Sequence, residues 1–83
     1  MEIRLSEDVI KSLKKIKKSN PVLLKQIRKQ LLLFKSNPQH NSLRLHKLSG
    51  NLDNMWSISI NMNIRMIYII RIDNEGSRPK HIL

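Results

Sequence analysis

The chain has 83 residues, enough for one small domain that buries about 60–65% of its unfolded surface. Sixteen Lys and Arg stand against six Asp and Glu, a net charge of +10, so the expected partner is a polyanion: a nucleic acid or an acidic protein. The absence of cysteine excludes a disulfide scaffold and a Cys-based zinc site, and 40% hydrophobic residues are too many for a disordered basic tail.

Taken from the N-terminus, MEIRLSEDVI lacks the apolar core of a signal peptide, and no apolar run reaches the ~18 residues of a membrane span. A soluble, cytoplasmic single domain over residues 1–83 is expected. Residues 2–5 alternate and read as a short strand. Ser6 is suited to an N-cap, and Glu7 and Asp8 suit the positive end of the helix that follows. Val9, Leu13 and Ile16 mark its apolar face, with Ile10 alongside. Lys11, Lys14, Lys15 and Lys18 mark an opposite cationic face. Asn20-Pro21 ends this helix and caps the next, with proline at its first position. Leu23, Leu24, Ile27, Leu31 and Phe34 form a second stripe, stopped by Ser36-Asn37-Pro38. Two amphipathic helices so closely joined read as an antiparallel hairpin.

The period then changes from 3.6 to 2. Leu43-Arg44-Leu45-His46 alternates, Ser49-Gly50-Asn51 is a turn, and residues 56–60 alternate with Trp56, Ile58 and Ile60 on the apolar side. Asn61-Met62-Asn63 is a turn into a strand over 64–72, apolar on both faces in its middle as a central strand would be. Residues 73–76 form another turn, and a last strand begins over 78–83 with Pro79 near its start. The fold class is α+β: an N-terminal strand and a helical hairpin packed on a mainly antiparallel sheet.

Charge and register together mark a site. No acid occurs between Asp8 and Asp53, a stretch that holds eleven of the basic residues. Ordinary solvated faces mix both signs. Pairing Ile60 with Ile64 sets Ile58 opposite Met66 and Trp56 opposite Tyr68, all against the helices; a slip by one residue would mix the faces. The other face then carries Arg44, His46, Ser57, Ser59 and Arg65. The six acids are scattered, which disfavours paired-carboxylate and metal-nuclease chemistry, and the three histidines have no metal-type spacing; no metal or cofactor is expected. Cations and one imidazole suit a phosphodiester. The cations hold phosphate and offset developing charge, the ring moves protons, and RNA brings its own nucleophile in the 2′-OH.

The segment Leu45-His46-Lys47-Leu48-Ser49-Gly50-Asn51-Leu52, followed by Met55-Trp56-Ser57-Ile58-Ser59-Ile60 and Ile64-Arg65-Met66-Ile67-Tyr68, resembles the RelE/ParE toxin superfamily, nearest to its YafQ/HigB-type members. The shared features are an H-x-L-x-G turn, a W-S-I strand and an R-x-x-Y strand in that order, and the likeness spans nearly the whole chain. It implies a RelE-like fold and the toxin of a type II toxin–antitoxin system: an mRNA endoribonuclease, free or ribosome-dependent, silenced by a cognate antitoxin. His46 matches a catalytic histidine and Arg65 the arginine against the scissile phosphate. Arg44 and Lys47 lie where members keep basic RNA contacts, and Ser57 and Ser59 share that face as further RNA-binding positions. Trp56 and Tyr68 read as core.

Ser59 and Asn63 depart from the histidine and aspartate that YafQ-like members have nearby. Members also end on a segment resembling I-G-x-H-x-x-V-Y with a catalytic histidine or tyrosine. This sequence ends at His81-Ile82-Leu83, from which a shortened C-terminus, an uncovered sheet edge and weak cleavage are expected. Other readings left open are an antitoxin-binding remnant without activity, a ParE-like gyrase inhibitor and a generic basic RNA-binding domain.

Overall fold

The computed structural model describes residues 2–48, 55–71 and 79–83. After β1 (Glu2–Arg4), Ser6 starts α1 (Glu7–Ser19) in the expected way: its Oγ accepts from the Val9 amide at 3.2 Å, satisfying a donor the helix itself leaves free. Asn20 serves both helices. Its N–H donates to the Ile16 carbonyl at 2.7 Å, closing α1, and its Oδ1 accepts from the Leu23 amide at 3.1 Å, opening α2 (Pro21–Ser36). A single shared residue leaves no slack between the two helices, which makes them a hairpin. α2 ends where the Asn37 amide reaches the Leu33 carbonyl at 2.7 Å, one residue before Pro38. Among the described residues, no helix is long and apolar enough to cross a membrane.

The helices pack on a sheet of β1, β2 (His46–Lys47), β3 (Met55–Ser59), β4 (Arg65–Arg71) and β5 (Lys80–Ile82), in the order β1-β5-β4-β3-β2. Only the β1–β5 pair is parallel. The register of β3 on β4 is the apolar one: Trp56 faces Tyr68, Ile58 faces Met66, Ser57 faces Ile67 and Ser59 faces Arg65. The turn between them is closed by Ile60 N–H donating to the Ile64 carbonyl at 2.9 Å. Asn61 Oδ1 accepts from the amides of Asn63 and Ile64 at 2.8 and 2.9 Å, a local side-chain bond that sets the turn. Phe34, Leu43, Ile58, Tyr68 and Leu83 are the buried core, with Trp56, Met66 and Ile70 packed against it. Phe34 and Tyr68 rings meet at 4.9 Å and Trp56 stacks on Tyr68 at 6.5 Å, so both β-strand aromatics serve the core side of the sheet.

Several expectations are corrected. Of the strand expected over residues 43–46, only His46 is in one; residues 43–45 are not. His40 Nδ1 accepts from the Ser42 amide at 3.1 Å, and Asn41–Leu43 closes into a 3-10 turn that drives Leu43 into the core. Arg44 follows in the left-handed region at φ 44°, and only His46–Lys47 pairs with β3. β4 is not apolar-buried on both sides: Ile67, on the face away from the helices, is 50% exposed. The last strand leaves no open edge of its own, because β1 pairs with it; Leu83 N–H donates to the Arg4 carbonyl at 2.9 Å, and Leu83 is buried. The turns expected at 49–51 and 73–76, and Arg78, lie outside the described residues.

Candidate functional site

The register that buries Tyr68 puts Arg65 on the opposite, open face at the start of β4. From there its side chain reaches diagonally across β3 to β2. Nε donates to Ser57 Oγ at 3.0 Å. Nη2 donates to the Arg44 carbonyl at 2.8 Å and stands 3.1 Å from His46 Nδ1. His46 sits opposite Ser57 on β2, and its Nδ1 is also 3.2 Å from the Arg44 carbonyl. Three strands and one backbone carbonyl thus hold one guanidinium in place, with a free edge left over.

The left-handed conformation of Arg44 accounts for this carbonyl. A non-glycine residue there costs about 1 kcal/mol, and the strained Arg44 is also the residue whose carbonyl accepts from Arg65. His46 Nδ1 faces one donor and one acceptor. If Nδ1 accepts from Arg65, the proton is on Nε2; if Nδ1–H donates to Arg44, Nε2 carries the lone pair. Both tautomers are satisfied by the surroundings. Nε2 has no protein partner among the described residues and belongs to an exposed side chain.

The structure therefore brings His46, Arg65, Ser57 and the backbone of Arg44 together. Ser57 and Ser59 are both buried, and their hydroxyls are used internally: Ser57 accepts from Arg65, and Ser59 Oγ donates to the Asn61 carbonyl at 2.9 Å. Lys47 pairs with Trp56, on the opposite side of β2 from His46, and is not part of the cluster. Gln30 was not singled out from the sequence. It is buried and donates from Nε2 to the carbonyls of Ser59 at 2.9 Å and Ser42 at 3.3 Å, tying α2 to β3 and to the turn before Arg44. Its signal was available: a glutamine three residues after Ile27 and four before Phe34 lies within the apolar stripe itself.

Beside the cluster a cleft of about 500 Å³ opens between α2 and the β3–β4 turn, lined by Lys29, Arg44 and Arg65 and by the amides of Gln26, Asn61 and Asn63. No acidic side chain lines this cleft, so the charges of Lys29, Arg44 and Arg65 are not offset within its lining. Among the described residues, no group of three or more His, Cys, Asp or Glu could hold a metal ion.

Solved structures share this architecture. A YoeB/ParE toxin from Agrobacterium tumefaciens superposes with a TM-score of 0.74 at 16% identity, over 99% of this chain and 91% of that one. A YoeB–YefM complex from Staphylococcus aureus matches with a TM-score of 0.70 at 23% identity, and a YoeB dimer from the same organism with 0.67 at 22%, each over 99% of this chain and 91% of the other. No protein-family model and no curated protein matches the sequence.

Proposed function

We propose that this chain, which has the fold of the YoeB/ParE toxins, is the toxin of a type II toxin–antitoxin pair and cleaves mRNA in the cytoplasm without a metal ion. The observation that carries the nuclease reading is the Arg65 guanidinium, held by Ser57 and the Arg44 carbonyl beside the His46 ring on an open sheet face. Preorganised donors of this kind need no rearrangement as charge develops. The free edge of Arg65, with the Arg44 guanidinium, takes the scissile phosphate. In the tautomer whose Nδ1–H donates to the Arg44 carbonyl, His46 Nε2 carries the lone pair and accepts the proton of the RNA 2′-OH as that oxygen bonds to phosphorus. The bond from phosphorus to the 5′-oxygen breaks, and the leaving oxygen takes a proton from the ring or from water. The products are a 2′,3′-cyclic phosphate and a 5′-hydroxyl.

The partner reading rests on α1. None of its residues is fully buried, although Val9, Leu13 and Ile16 face inward. Between it and α2 runs an apolar groove of about 360 Å³, lined by Leu5, Ile10, Leu24 and Leu31 with Lys14, Lys17 and Arg28 on its rim. An amphipathic acidic segment of an antitoxin, folding as it docks, fits that groove in both polarity and charge. Two of the solved structures that share the fold are YoeB–YefM complexes, one of them a heterotetramer.

The test is cleavage of a defined mRNA, with and without ribosomes, by the parent and by His46→Ala. Loss of a general acid/base lowers the rate by ~10²–10⁴. Equal cleavage by both proteins would remove His46 from the reaction. No cleavage under either condition, together with inhibition of gyrase supercoiling, would replace the nuclease reading.

A further inference from the structure

The cleft next to Arg65 is built more specifically than phosphate binding requires. Its amides have fixed orientations. Asn61 Oδ1 faces two backbone N–H groups, which can only donate, so Asn61 Nδ2 is the atom that donates to Gln26 Oε1 at 3.0 Å. Gln26 Nε2 is then left with its donors free. Gln30 faces two carbonyls, which can only accept, so its Nε2 is committed and Oε1 remains. Among the described residues no buried side-chain nitrogen or oxygen lacks a partner, so this unpartnered Oε1 meets the solvent of the cleft that Gln30 lines. Gln26 and Gln30 are one turn apart on α2 and share a face. The wall of the cleft therefore offers one donor and one acceptor of settled identity.

The rest of the lining suits the same ligand. Lys29 and Arg44 bring positive charge from two different elements, and Arg65 links the cleft to the proposed reacting centre. Met62, at the lip, is fully exposed and offers an apolar surface to a planar ring. The volume of about 500 Å³ falls within the range that encloses a small molecule. Single-stranded RNA is read through splayed bases hydrogen-bonded on their edges, while its phosphates only position it.

We propose that this cleft is a nucleotide subsite that reads the base adjoining the cleaved bond, with Gln26 Nε2 and Gln30 Oε1 on the base edge, Met62 against its face, and Lys29 and Arg44 on its phosphate. It rests on the nuclease reading for its role in cleavage but makes its own prediction for binding. The cleft is the specificity-determining part of the site, and the Arg65–His46 cluster is the reacting part.

The test is a titration of the full chain with the four nucleoside 3′-monophosphates and, separately, inorganic phosphate, read from the side-chain amide and arginine signals in nuclear magnetic resonance. The expected result is movement of the Gln26 and Gln30 amide signals and of Arg44 with the nucleotides. One base should bind about tenfold tighter than the weakest, the scale of a good hydrogen-bonded pair, and Gln26→Leu should level the four. Inorganic phosphate moving the same amides at the same concentration would overturn the subsite, as would shifts confined to the lysines of α1. Base-selective shifts at the cleft in a protein that cleaves no mRNA would uphold the subsite and sink the nuclease reading. Cleavage of mRNA with no base-selective shift at the cleft would do the reverse.

Discussion

Gln30 gives the sharpest test of how the site is held up. β2 pairs only with Trp56 and Ser57, so no strand lies across from Ser59 on that side, and Gln30 Nε2 takes its carbonyl at 2.9 Å. The second bond, at 3.3 Å to Ser42, is only part-buried and can be replaced by water. Gln30→Met keeps the length of the side chain and its place in the apolar stripe, so the hydrogen bonds are the main thing removed. Leaving the Ser59 carbonyl buried and unpaired costs about 1–3 kcal/mol, and the wetter Ser42 bond about 0.5 kcal/mol more. A domain of this size has about 4–12 kcal/mol of stability in total, so the loss is a substantial share of it. A loss of ~2 kcal/mol lowers Tm by about 8–16 °C. Thermal unfolding followed by circular dichroism, with a urea series to confirm an unchanged slope, measures it. A Tm within about 3 °C of the parent would refute the reasoning, because it would mean that the Ser59 carbonyl is satisfied without Gln30.

Three further outcomes are expected. Ser57→Ala removes the acceptor that fixes Arg65 Nε, so mRNA cleavage falls by about tenfold, the rate equivalent of one charge-assisted hydrogen bond, while Tm stays near the parent's; an unchanged rate would separate Ser57 from the positioning of Arg65. Arg44→Gly relieves a left-handed backbone and removes a cation, so it raises stability by up to about 1 kcal/mol and lowers the salt slope of RNA binding by about one; a lower Tm would show that the Arg44 side chain contributes more than its backbone costs. Burial pushes the Tyr68 phenol above its ordinary value of 10.0. The folded state therefore holds that proton more tightly, and this contribution is complete below pH 10.0 and lost as pH rises beyond it. The parent should lose more stability than Tyr68→Phe between about pH 8 and about pH 11, and equal losses would contradict the assigned cause.

Side-chain chemistry and periodicity made much of this molecule legible. Ser6 and Asn20 could be placed because a cap needs a short acceptor at one position. The β3–β4 register followed from parity, since any slip would turn Ile58 and Tyr68 to water. That register alone brought Arg65 and Ser57 to one face. The strand expected over residues 43–46 is absent at 43–45 because alternation over four residues is weak, and a His40 side-chain bond to the Ser42 amide outweighs it. The Arg44 carbonyl escaped for a deeper reason: a backbone acceptor leaves no mark in a pattern of side chains. Both end strands were legible, but their parallel pairing joins residues nearly a chain length apart, and three-residue strands carry too little pattern to fix a partner. Gln30, a polar residue inside an apolar stripe, was legible and was passed over.

The central claim is that His46 and Arg65 cleave RNA through its own 2′-OH. The direct measurement is cleavage of a defined mRNA segment against the same segment carrying a single 2′-deoxy substitution at the cleaved nucleotide, with product ends identified by mass. The account predicts cleavage of the first, leaving a 2′,3′-cyclic phosphate and a 5′-hydroxyl, and none of the second at that bond. Cleavage of the deoxy segment at the same bond, or products bearing a 5′-phosphate, would contradict it.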